Sequence, residues 1–163
     1  MPEESPAPPP ARTTPPNDVR LDGTDRAILA ELKRDARIPN NALAERVGVA
    51  PSTCLTRVRA LRERGVIRGF HADVDPAATG RPLQAMVSVR LQSVARRRMR
   101  EFEDVLTRLP EVRACWFLAG EDDYLLHVAT ADSAAIRDFV VALNSREEVA
   151  NTRTNLIFEE VRR

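Results

Sequence analysis

The spacing of the hydrophobic residues changes once along this chain, and that change constrains the fold more than any other feature. Between Leu21 and Gly65 apolar side chains recur every three or four residues, as on amphipathic helices. From Leu83 to Leu91 they take every second position, as on a half-buried strand. Pro76, Gly80 and Pro82 punctuate the boundary between the two regimes. The pattern predicts a helical domain followed by a mixed one.

In the first half, "LDGTDRAILAELKRDA" predicts a helix capped by Asp22, with Asp25 in its first turn and Ile28, Leu29 and Leu32 on one face. "PNNALAERVG" predicts a second, shorter helix, with Asn40 as its cap, Leu43, Ala44 and Val47 on one face, and Gly48 as its end. Pro51 suits the first turn of a third helix, which points Cys54, Val58 and Leu61 inward and closes at Gly65. Three short helices with a tight turn at Val47-Gly48-Val49 make a helix-turn-helix. "VIRGFHADVDP" then reads as a strand and linker.

The second half supplies, in order, the strand "LQAMVSVRL", a helix carrying Met99, Phe102, Leu106 and Leu109, and the strand "VRACWFLA". A turn at "AGEDDY" leads to the strand "YLLHVAT", a helix capped by Asp132, and a last strand in "TRTNLIFEEV". The order βαββαβ is the ferredoxin-like arrangement, whose helices cover one sheet face. Residues 112 to 119 are apolar on both faces, which predicts that a second copy of the sheet covers the other, a homodimer at least. The expected class is α+β. Its expected parts are a disordered Pro-rich tail over 1–19, a helix-turn-helix domain over 20–68, a strand and linker over 69–81, and a βαββαβ domain over 82–163.

Composition enters where it restricts function. Seven of the twelve prolines lie in the first sixteen residues, with almost no large apolar side chain to offset the entropy of ordering them. The net charge of +1 means that any nucleic-acid surface must come from local charge placement. Two cysteines, Cys54 and Cys115, match neither a disulfide framework nor a metal motif, so no metal or cofactor is expected. No apolar run approaches the ~18 residues of a membrane span, and the first residues lack a signal-peptide pattern. A cytosolic chain is expected.

Local charge is concentrated on the third helix, where Arg57, Arg59, Arg62 and Arg64 face only Glu63 as a counter-charge. Ser52, Thr53 and Thr56 lie at the end where a recognition helix meets base edges, and small hydroxyls permit close approach. Arg57 can reach a guanine edge or a phosphate, unless an acidic residue of the first helix engages Arg57 or Arg59. Arg59, Arg62 and Arg64 extend the positive surface toward the backbone of double-stranded DNA.

Several stretches carry a family resemblance: "LDGTDRAILAELKRDARIPNNALAERVGV", "STCLTRVRALRERGVIRGFHADVDP", "AGEDDYLLHV" and "VANTRTNLIFEEVRR". In this order and spacing the chain resembles the Lrp/AsnC feast/famine transcriptional regulators. The resemblance implies an N-terminal DNA-binding domain and a C-terminal regulatory domain. It also implies dimers that assemble into octamers, and a small effector, usually an amino acid, bound between regulatory domains. "GEDDY" matches the family's Gly-x-x-Asp-Tyr loop at Gly120, Asp123 and Tyr124. Asp122 or Asp123 would meet an effector ammonium, backbone N–H groups near Gly120 its carboxylate, and Thr152 and Thr154 the remaining polar contacts. The chain departs from the family at Ala50, where a serine cap is common, and in its Pro-rich tail. Two alternatives follow: a sirohaem-decarboxylase-like enzyme, for which His71 is the one residue to nominate, and a ligand sensor that meets another protein instead of DNA.

Overall fold

The computed structural model describes residues 20–95 and 99–161, so the predicted tail over 1–19 lies outside the described residues. The chain divides between Ala72 and Asp73 into two compact units.

The first unit holds α1 (Gly23–Arg34), α2 (Asn40–Val47) and α3 (Pro51–Glu63). Asp22 caps α1 through a reciprocal capping box with Asp25, which satisfies two N–H groups that the helix leaves open. Gly48 ends α2 at φ 70°, a left-handed conformation that costs glycine little. The expected cap at Asn40 does not form. The cap position is Pro39, and the Asn40 amide donates instead to the Pro51 carbonyl at 2.9 Å, tying the start of α2 to the start of α3. Ala50 precedes α3 without a side-chain cap, and Pro51 opens the helix. Ile28, Leu43, Ala44, Cys54 and Leu61 form the core of this unit.

The second unit has β1 (Leu83–Leu91), α4 (Met99–Arg108), β2 (Val112–Phe117), β3 (Tyr124–Thr130), α5 (Ser133–Asn144) and β4 (Val149–Ile157). All strand pairs are antiparallel, in the order β2-β3-β1-β4, the ferredoxin-like topology. Ala85, Val87 and Val89 of β1 pack with Leu126 and Val128 of β3, Phe102 and Leu106 of α4, and Ile136, Phe139 and Leu143 of α5. Burial of each large apolar side chain contributes about 1.5–3 kcal/mol. Asp132 caps α5, accepting from the Ala135 N–H at 2.8 Å.

No strand forms between Gly69 and Arg81. Residues 69–75 are exposed, and the segment's one regular piece is a short 3-10 turn, Ala77–Thr79. A strand needs a neighbouring edge to satisfy its N–H and C=O groups, and this stretch is absent from the four-stranded sheet. The last strand begins at Val149, earlier than its threonines suggested, because its first residues pair with the end of β1.

Candidate functional site

The four arginines of the third helix divide into two pairs with different work. Arg57 is engaged: its Nη1 lies 2.6 Å from Asp22 Oδ2 and 2.9 Å from Asp25 Oδ1, across the start of α1. Arg64 Nη2 donates to the Arg20 carbonyl at 2.9 Å. Arg59 and Arg62 are exposed and make no ion pair among the described residues. The helical repeat explains the division. With Cys54 and Leu61 fully buried, Arg57 and Arg64 fall on the flank toward α1, and Arg59 and Arg62 on the outer face.

Ser52, Thr53 and Thr56 are exposed at the start of the helix, though the Thr56 hydroxyl donates back to the Ser52 carbonyl at 3.0 Å. Leu55 shares that face at 41% exposure and can meet a thymine methyl. Sequence reasoning passed it over, although its place three residues after Ser52 would have found it. Between Arg20 and Ala72 there are eleven basic and six acidic residues, so this unit is basic in a chain of net charge +1.

The clamp on Arg57 has a pH signature. The Asp25 backbone N–H, then the Arg57 guanidinium, hold the Asp22 carboxyl below its ordinary value of 3.8. A carboxyl depressed by folding contributes stability that is complete above its unfolded pKa and is lost as pH falls through the folded value. Acid titration of the helical signal from pH 6 to 2 is expected to show the N-terminal unit loosening below about pH 4. In Arg57→Ala the share due to the guanidinium disappears.

In the second unit the structure separates the six effector candidates. Asp123 is buried and acts as a latch: its Oδ2 accepts from the Leu91 N–H at 2.8 Å, and its own N–H donates to the Val89 carbonyl at 2.9 Å. Tyr124 belongs to the core. It is fully buried, its ring packs between Phe102 and Phe117, and its hydroxyl donates to Glu103 at 3.0 Å. Burial, then Glu103, pushes its phenol well above the usual range.

Thr152 and Thr154 lie opposite Val89 and Val87, hence on the helix-covered side of β4. The Thr152 hydroxyl accepts from the Asn144 amide at 2.9 Å. Asp122 lies toward the other face, where Arg153 Nη2 meets its Oδ2 at 2.7 Å. Beside it, Arg90 and Glu121 pair at 3.7 Å. Gly120 is exposed in the same loop. Sequence reasoning missed Arg153, whose signal was its parity: one residue away from each threonine, it must face the opposite way.

Among the described residues no group of three or more His, Cys, Asp or Glu could hold a metal, and no helix is long and apolar enough to cross a membrane.

Residues 21–68 match the model of a winged helix-turn-helix DNA-binding domain, and residues 84–163 that of the Lrp/AsnC ligand binding domain. The chain is 57% identical over 151 residues to the HTH-type transcriptional regulator AldR of Mycolicibacterium smegmatis, covering 90% of this chain and 88% of that one. The chain belongs to the Lrp/AsnC family. The crystal structure of the Mycobacterium tuberculosis AldR has 51% identity and a TM-score of 0.74, covering 88% of this chain and 97% of that one. A Neisseria meningitidis regulator solved as its L-Met complex has 33% identity and a TM-score of 0.80, covering 88% and 94%. Membership of the Lrp/AsnC regulators displaces the enzyme alternative.

Proposed function

We propose that this Lrp/AsnC chain is a sequence-specific DNA-binding transcriptional regulator, working in the cytoplasm, whose DNA affinity or assembly responds to a free amino acid. The observation that carries the reading is the outer face of α3, where Ser52, Thr53, Leu55, Arg59 and Arg62 are exposed together and the two arginines have no acidic partner among the described residues. Base edges would meet the first turns and phosphates the later arginines. Arg57 and Arg64 would act by holding the helix against α1. Fluorescence anisotropy tests it, comparing the DNA upstream of the chain's own gene with scrambled DNA at two salt concentrations. Tighter binding to the upstream DNA that weakens steeply with salt is expected; equal, weak binding to both would reject it.

A homodimer through the open sheet face is part of the reading. Trp116, at 43% exposure, lies opposite Leu125 on that face, with Ala114 and Met86 nearby. Such an apolar strip suits a second copy of the same sheet. Assembly of dimers into octamers is the further expectation, and light scattering measures both.

For the effector, the Asp122–Arg153 pair offers the complementary charges a zwitterion needs, the carboxylate for an ammonium and the guanidinium fork for a carboxylate. The L-Met complex of the Neisseria relative supports an amino acid as the ligand class. Asp122→Ala is expected to weaken the effect of an active amino acid by about tenfold or more, the scale of a charge-assisted contact of 1.5–3 kcal/mol. An amino-acid panel added to the DNA complex reads this. An unchanged response would remove Asp122 from the site.

A further inference from the structure

We propose that Arg68 joins Arg59 and Arg62 in a seat for the phosphate backbone of the bound duplex, one phosphate to each guanidinium, a contact separate from the base-reading turns of α3. The proposal rests on the DNA-binding reading above. The last turns of α3 and the chain just after it enclose a shallow, open hollow lined by Arg59, Arg62, Glu63, Ile67, Arg68 and Gly69.

The backbone fixes its shape. Gly65, at φ 70°, reverses the chain, and the N–H groups of Val66 and Ile67 both donate to the Leu61 carbonyl, at 2.9 and 3.1 Å. Val66 and Ile67 also pack against the core of the unit, so Arg68 projects from an anchored turn.

Charge favours an oxyanion there. Three arginines line the hollow beside the single carboxylate of Glu63, and none of their guanidinium groups makes a hydrogen bond or ion pair among the described residues. Neighbouring arginines are spent inside the unit: Arg57 on Asp22 and Asp25, Arg46 on Glu31, Arg64 on the Arg20 carbonyl. Planar donor forks match the oxygens of a phosphate.

Distance argues for phosphate over base. Ten residues separate Ser52 from Arg62, about 15 Å of helix rise at 1.5 Å per residue, whereas the major groove is about 12 Å wide. With Ser52 and Thr53 against base edges, the far end of α3 and the turn after it lie over the sugar-phosphate rim.

The test uses the full chain, Arg68→Ala and Arg68→Lys, with anisotropy on upstream and scrambled DNA from 50 to 200 mM salt. Arg68→Ala is expected to keep the wild-type melting temperature and to lose about fivefold in affinity for both DNAs near 0.15 M salt. The slope of log affinity against log salt should flatten by about 0.9, one phosphate's worth of released counterions. Arg68→Lys is expected to restore most of the slope.

An unchanged slope in Arg68→Ala, with wild-type protein binding normally, would overturn the proposal. A loss confined to the upstream DNA would overturn it in favour of base contact. Absence of specific binding by the wild type would instead reject the DNA-binding reading and this inference with it. Inorganic phosphate at matched ionic strength distinguishes a free anion from the duplex backbone. Competition no stronger than that of chloride is expected, and saturable displacement would reassign the hollow to a small anion.

Discussion

Joint replacement of Arg59 and Arg62 by alanine is expected to abolish most DNA binding while leaving the fold as it is. Neither side chain makes an ion pair among the described residues, so nothing inside the protein loses a partner. Two lost phosphate contacts flatten the salt slope by about 2 and lower affinity roughly 30-fold near 0.15 M salt. Anisotropy across a salt series reads both quantities, and thermal unfolding provides the control. Arg57→Ala is expected to do the reverse first. It strips the charged partner from the buried Asp25 carboxylate and so reduces the stability of the N-terminal unit, with DNA affinity falling as a consequence. A double variant that bound DNA normally would remove the outer face of α3 from the interface.

The second large effect concerns Asp123. Asp123→Ala leaves the N–H of Leu91 buried and unsatisfied at the end of β1, which costs about 1–3 kcal/mol, and loosens the turn that carries Asp122. Denaturant unfolding of the full chain should show the lower midpoint. Asp123→Asn, which keeps a carbonyl acceptor, should recover much of it. Asp122→Ala should leave the midpoint close to wild type, because its exposed partner Arg153 remains in water. The two adjacent aspartates therefore separate by readout, one in stability and the other in effector response. Equal midpoints for Asp123→Ala and wild type would show that the latch contributes nothing.

Local chemistry explains which features could be read from residues alone. The Asp22–Asp25 capping box, the left-handed Gly48, Pro51 at the start of α3 and the alternation of β1 depend on neighbours within a few positions, and each has the expected form. The partner of Arg57 lies 35 residues away at Asp22, and helical periodicity locates only the flank, not the carboxylate. Asn40 looked like a cap because its side chain suits one, yet a long-range bond to Pro51 claimed it. For the regulatory loop, the family resemblance grouped Asp122, Asp123, Tyr124, Thr152 and Thr154. Pairing with β1 then assigned alternate residues to opposite faces, a parity that depends on register. The segment after α3 has strand-like residues but joins no edge of this chain's four-stranded sheet.

The ties from α3 back to Arg20, Asp22 and Asp25 also define what must travel when this DNA reader is grafted onto another sensor. A fusion beginning at Gly23 keeps all three helices and every outward side chain, yet discards the Asp22 carboxylate and the Arg20 carbonyl that seat Arg57 and Arg64. One beginning at Arg20 keeps both. Three residues with no base to read thus mark the upstream border of a transplantable module.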